Sequence, residues 1–244
     1  MNRLLINIAA SVFPFLKNDL RREDWVAKML ASIPKGESLM DAVAGECKYK
    51  KCCSHLKYIS QDFGKYNGSG DNLGLQTGAW NVSKIDIISD IEKIPLPKGS
   101  LDNILCTEVL EHIPHPDLAI KELSRLLKKD GRLILTAPFC SSTHMSPYFY
   151  CTGFSVNWYK EVLGKNGLKT VEMSANGNFF DFVSQELARL PLIVKKYSSL
   201  GILSLILYVV LVPVILLCSL CSYLIRATEK QLCFGWHVLA EKEK

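Results

Sequence analysis

The stretch that most constrains this chain runs from residue 84 to residue 139, KIDIISDIEKIPLPKGSLDNILCTEVLEHIPHPDLAIKELSRLLKKDGRLILTAPF. KIDIISD is a short β-branched run ending in Asp90, and LDNILC is another ending beside Thr107 and Glu108. Both read as buried parallel strands. From Pro116 to Lys129 the apolar residues Leu118, Ala119, Leu123, Leu126 and Leu127 recur at helical spacing, with Gly131 as the expected stop before a third strand, RLILTAPF. Strand, strand, helix, strand predicts a doubly wound α/β fold. Ligands of such sheets sit beyond the carboxyl ends of the strands, where Asp90, Thr107, Glu108 and Pro138 fall.

The same alternation extends in both directions. LRREDWVAKMLASIP reads as a helix ended by Pro34 and Gly36, ESLMDAVAGECKYKKCC as a first strand and a loop, and LKYISQDF as a second strand ending in Asp62. Residues 64–83 are rich in Gly, Asn and Ser and predict a long loop that covers one edge of the ligand site. LKTVEMSANGN and QLCFGWHVLAEK supply a sixth and a seventh strand.

Taken in order, the aspartate closing strand three, the IPLPKGSLD turn, TEVLEHIPHP and LLKKDGRLILTAP closely resemble the second half of a class I S-adenosylmethionine-dependent methyltransferase domain of the type 11 kind. The resemblance covers roughly residues 20 to 178, with a last strand near 231 to 240. It implies a Rossmann-like sheet of seven strands, the last antiparallel, and S-adenosylmethionine as cofactor. Cofactor-binding positions carried over are Asp41, Ala44 and Gly45 in the loop after strand one, and Asp62 for the ribose hydroxyls. Asp90 with Ile91 would meet the adenine, and Thr107 and Glu108 the methionine end. The family's loop has three alternating glycines that let backbone approach the cofactor. Here Gly45 keeps the central one, while Val43 and Cys47 stand at the outer two.

The chemistry should lie after strands four and five. Glu108, Glu111 and His112 have the i, i+3, i+4 spacing of one helical face. TEVLEHIPHP also resembles the segment that supplies a divalent metal in membrane-associated quinone O-methyltransferases. Relatives without metal carry the same letters, so no metal is assigned from the sequence. The insert CSSTHMSPYFYCTGFSVNWYKEVLGKNG brings His144, Tyr148, Tyr150 and Trp158 toward an acceptor site that would exclude water. His144 and His112 are the candidate catalytic residues, because an imidazole can take a proton from an acceptor hydroxyl near neutral pH. The alternative is an aromatic lid without acid or base.

Hydrophobic residues make up 48% of the 244, and the formal charge is +5 without a basic block that interleaves aromatics. That argues against nucleic acid and fits an anionic membrane surface better. Nine cysteines, an odd number, suit reduced thiols in a cytosolic setting. From Tyr197 to Ile225, 29 residues, there is no charge, which exceeds the roughly 20 needed to cross a bilayer. A single crossing would separate strand seven from its sheet, and basic residues flank both ends: Arg189, Lys195 and Lys196 before, Arg226 and Lys230 after. The expectation is therefore a re-entrant or interfacial hairpin broken at Pro213, on the cytoplasmic side of a membrane. The apolar run Leu4 to Leu16 is read as an amphipathic helix in preference to a signal peptide.

The expected organisation is N-terminal helices over 1–36, a methyltransferase core over 37–179, a membrane-associated insertion over 180–230, and the last strand and tail over 231–244. The expected activity is methyl transfer to an oxygen or carbon of a lipid, quinone or lipid-linked glycan acceptor, with membrane lipid as partner. The rivals are a non-catalytic scaffold of the same fold at a membrane, and a methyltransferase of a soluble sugar or protein that is merely tethered there.

Overall fold

The computed structural model describes residue 9 and residues 11–243. Residues 4–8 and 10 of the expected Leu4 to Leu16 helix lie outside them; Ala9, Ser11 and Val12 are helical, and a 3-10 turn follows at Pro14–Lys17. The chain divides into two compact units, one of residues 24–174 with 235–244, the other of residues up to 23 with 175–234.

Seven strands form one sheet in the order β3-β2-β1-β4-β5-β7-β6. They are β1 Ser38–Ala42, β2 Lys57–Asp62, β3 Ile87–Ile88, β4 Leu101–Thr107, β5 Leu127–Pro138, β6 Leu168–Asn176 and β7 Gly235–Lys242. β1 pairs parallel with β2 and β4, and β4 parallel with β5. β7 runs antiparallel on β5 from Arg132↔Glu241 to Pro138↔Gly235. The central strands are apolar on both faces because helices cover both. On one face Val26, Met29 and Leu30 of α1 (Asn18–Ala31) pack on Leu39, Leu105 and Ile134 from three different strands.

Two sequence expectations change here. KIDIISD yields only the two-residue β3, because Asp86 turns its carboxylate onto Ser60, accepting from the backbone N at 2.8 Å and from Oγ at 2.7 Å, in place of a strand ladder. α2 (Pro116–Leu126) ends before Lys129, and Leu127 already pairs with Leu101 in β5. Gly131 therefore lies inside a strand and is not a helix stop: a Cβ there would sit 2.9 Å from the Lys128 carbonyl and 3.0 Å from that of Asp102. α3 (Val156–Lys165) starts on Ser155, whose side chain accepts from the Trp158 amide.

The second unit is built on α4 (Phe179–Tyr197) and α5 (Gly201–Leu224), which run antiparallel. Asn178 caps α4 and donates to the Ser222 carbonyl at 3.1 Å, while Ser222 Oγ donates to Asp181 at 2.7 Å. Further along, Ser204 Oγ donates to the Pro191 carbonyl at 2.9 Å. Arg21 closes the buried Asp181 carboxylate with an ion pair at 2.7 Å. The expected break at Pro213 does not occur, since α5 runs through it and the chain reverses at 198–200. Proline removes one backbone bond. Here Ser204 before it and Ser222 after it both bond to the α4 side of the hairpin, so the helix stays whole.

α5 is long and apolar enough to cross a membrane. Its buried residues are Ser204, Ile215, Ser219 and Ser222, whereas Ile202, Leu205, Val209, Leu220 and Leu224 are exposed. That is the reverse of a helix adapted to water.

Candidate functional site

The loop after β1 has the shape its letters put in question. Val43, Gly45 and Cys47 all adopt left-handed backbone, with φ of 55°, 53° and 56°. A β-branched residue there is a true outlier, with a cost on the order of 1–3 kcal/mol that surrounding structure must offset. The offset comes from the end of β2. Gln61 accepts from Val43 N through its side chain at 3.2 Å and from Ala44 N through its carbonyl at 2.9 Å, and Asp62 accepts from Gly45 N at 3.0 Å. The second Asp62 oxygen takes Gly64 N at 2.8 Å. Asp62 is thus buried and holds the loop, a task that its position at a strand end did not reveal.

Asp41 is buried under the Tyr58 hydroxyl at 2.7 Å. Burial, partly offset by that hydrogen bond and reinforced by Asp62, pushes its carboxyl up to about 7. Asp90 stands exposed after β3, accepting only locally from Glu92 N at 2.9 Å, and Ile91 beside it is buried. Thr107 closes β4. Glu108 follows with φ of 52°, its amide donating to the Thr136 carbonyl at 2.8 Å and its carboxylate accepting from Thr136 Oγ1 at 2.9 Å.

Residues 64–83 pack against the loop after β1 and carry a residue the sequence reading missed. Trp80 lies against Gly45 and edge-on to Tyr66 at 5.8 Å. Further along, this loop docks on the segment after β5. Leu75 N donates to the Thr143 carbonyl at 3.1 Å, Met145 N to the Leu75 carbonyl at 2.8 Å, and Ser146 Oγ to Asp71 at 2.7 Å. Gly70 is required there, because a Cβ would lie 1.9 Å from the Ser146 carbonyl oxygen.

Beyond β4 and β5, His112 and His144 come edge to face with centroids 4.6 Å apart, and the carboxylate of Glu111 lies between them. Burial holds His112 below the ordinary imidazole range despite Glu111. Burial would lower His144 too, but the Glu111 carboxylate and the Ser142 carbonyl outweigh it and hold the ring above that range. Glu108 is not on a common helical face with Glu111 and His112, because the only helical turn here is the 3-10 turn Leu110–His112. Of the expected aromatics, Tyr148 joins Phe63 at 5.0 Å, Tyr150 is exposed, and Trp158 packs on Phe154 at 4.4 Å.

A family model for a methyltransferase domain matches residues 72–135. Ubiquinone biosynthesis O-methyltransferase of Xanthomonas oryzae pv. oryzae is 47% identical over 38 residues, 16% of this chain and 16% of that protein. The match therefore spans about a sixth of the length of these curated relatives. Among solved structures, a Galdieria sulphuraria protein assigned as a sarcosine dimethylglycine methyltransferase aligns with TM-score 0.53 at 15% identity, covering 92% of this chain and 86% of that one. Phosphoethanolamine N-methyltransferase 2 of Haemonchus contortus, in complex with S-adenosyl-L-methionine, aligns with TM-score 0.50 at 13% identity, covering 92% of this chain and 53% of that one. Strand order and the antiparallel β7 give this chain the Rossmann-like fold of those methyltransferases, and residues 72–135 within it match the methyltransferase-domain model.

Proposed function

We propose that the chain transfers the methyl group of S-adenosylmethionine to an oxygen or carbon of a lipid, quinone or lipid-linked glycan at a membrane surface. The observation that carries the cofactor reading is the loop after β1, which keeps three alternating left-handed residues although only one is glycine. Backbone in that conformation, backed by Asp62, has no evident task in the core. Asp41, Ala44, Gly45, Asp62, Asp90, Ile91, Thr107 and Glu108 would line the cofactor. The reaction is an in-line displacement at a sulfonium, so the protein contributes proximity, alignment and one means of drawing off the acceptor's proton. His112 and His144 are the groups proposed for that last role.

The membrane reading rests on α5. At 1.5 Å per residue a helix of this length reaches about 36 Å, and its apolar residues face outward. α4 carries Glu186, Arg189, Lys195 and Lys196. Each charge at the bilayer centre costs about 2.5–3.5 kcal/mol on insertion scales, so the pair is proposed to lie along one leaflet with α4 uppermost.

Titration of detergent-solubilised protein with S-adenosylmethionine tests the cofactor reading, and no binding at millimolar concentration favours the scaffold. Trp80 against Gly45 is the observation on that side. Labelled methyl groups appearing in the lipid fraction of an extract, and not in soluble sugar or protein, would support the acceptor class; the opposite partition would sink it.

A further inference from the structure

Glu111, His112 and His144 converge in a way that local spacing does not anticipate, because His144 arrives from the segment after β5. Glu111 Oε1 lies 3.7 Å from His112 Nε2 and 3.8 Å from His144 Nε2. One ligand atom from each residue falls within 4.8 Å of the other two. Each ring is oriented through its other nitrogen: His112 Nδ1 lies 2.5 Å from the Tyr148 carbonyl oxygen, and His144 Nδ1 2.9 Å from that of Ser142. A carbonyl can only accept, so each Nδ1 carries a proton and, in the neutral ring, each Nε2 presents a lone pair. Glu111 is fully buried, and neither of its oxygens has a hydrogen-bond partner. Three electron-pair donors thus face one small volume, which is costly in a protein interior unless something positive lies between them.

A shared proton fits poorly. A charge-assisted N–H···O bond would close to about 2.7–2.9 Å, well short of the separations here. Ligands of a tetrahedral ion with bonds of about 2.1 Å stand roughly 3.4 Å apart, a few tenths of an ångström below the two Glu111–imidazole separations and within the 4.8 Å that bounds all three atoms. We infer that Glu111, His112 and His144 hold one divalent transition-metal ion of the zinc type on the acceptor side of the site. Two imidazoles with one carboxylate favour such an ion over magnesium. Backbone carbonyls on both Nδ1 atoms are the outer support that metal-bound histidines use.

This set differs from the one implied by the sequence resemblance, Glu108 with Glu111 and His112. Glu108 is tied to β5 through Thr136 and is replaced by His144. As an acceptor-side element the ion rests on the methyltransferase reading, whereas its binding is measured without any acceptor. In its presence the two histidines act as ligands and the ion takes over polarising the acceptor oxygen.

The test is a cobalt(II) titration of the full-length, chelator-stripped protein in detergent, followed by visible absorption and by competition with zinc. One equivalent should bind with d–d bands of nitrogen and oxygen ligation. Affinity should fall at least tenfold in Glu111→Gln and His144→Ala and change less than threefold in Glu108→Gln. Absence of saturable binding by the wild-type protein overturns the inference even where a variant fails to fold. Binding lost in Glu108→Gln but kept in His144→Ala overturns it in favour of the other set. Titration with S-adenosylmethionine alongside separates the two readings: cobalt bound without cofactor binding would sink the methyltransferase proposal alone.

Discussion

A Cβ added to Gly45 would come within 2.4 Å of Trp80 Cζ2, so the indole of the 64–83 loop rests directly on the centre of the loop after β1. Gly45→Ala therefore meets two obstacles, the indole and a left-handed φ of 53°. The second alone costs roughly 1–2 kcal/mol. Cofactor affinity should fall at least tenfold. Adding Trp80→Ala should recover part of the loss, since it removes the collision and leaves the backbone cost. Calorimetric titration of both variants measures this, and no recovery at all would mean that the indole does not govern the loop.

Asp90→Ala should weaken S-adenosylmethionine binding about ten- to a hundredfold, the worth of a charge-assisted hydrogen bond of roughly 1.5–3 kcal/mol. The fold should barely notice, because the carboxylate is exposed and accepts only from Glu92 N. An unchanged dissociation constant with an unchanged melting temperature removes Asp90 from the site.

Asp41 gives stability a pH dependence. Its carboxyl is raised from 3.8 to about 7 in the folded state, so the fold binds a proton that the unfolded chain gives up earlier. The associated stability is full below about 4 and is lost as pH rises toward and through 7, on the order of 4 kcal/mol in all. Asp41→Asn, which cannot ionise, should gain stability relative to wild type between pH 4 and pH 8 in denaturant titrations. A constant difference across that range would show that Asp41 titrates normally.

If α4 and α5 lie along one leaflet, Ser198 at the reversal and Thr228 beyond α5 face the same compartment. Cysteines at these two positions, in a background without native thiols, should react alike with an impermeant reagent in sealed vesicles. Both should be protected with the cytoplasmic side inward and both labelled in inverted vesicles. Opposite labelling would mean that α5 crosses the bilayer.

Most of the sheet is legible in the letters because buried strands and amphipathic helices are local patterns. LKYISQDF becomes β2, and GWHVLAEK the antiparallel β7. The misjudged features depend on partners far away in sequence. Gly131 looks like a helix stop until Asp102, on the neighbouring strand, shows why a side chain there is excluded. Pro213 looks like a break until Ser204 and Ser222 are seen bonding on either side of it. Glu108, Glu111 and His112 look like one helical face, but φ of 52° at Glu108 turns the chain first, and His144 cannot be found by any short period. The departure at Val43 and Cys47 was visible, but Gln61 and Asp62, which carry its shape, were not identifiable as its support.

The hairpin helices leave the sheet after β6 and return to it at β7. Phe234 N donates to the Asn176 carbonyl at 3.0 Å, so the last residue of β6 and the residue preceding β7 are joined before and after an excursion of more than fifty residues. At the far end of the same strand pair Glu243 N donates to the Gly167 carbonyl at 3.0 Å. The entropy of closing a loop grows only slowly with its length, and here the closure is made by the strands themselves. The excursion is thus closed at its base by the two strands it separates. A tight two-residue turn in its place would present the sheet with the same pair of edges and would leave Arg21 and Asn18 of α1 without Asp181 and Gln185 as partners.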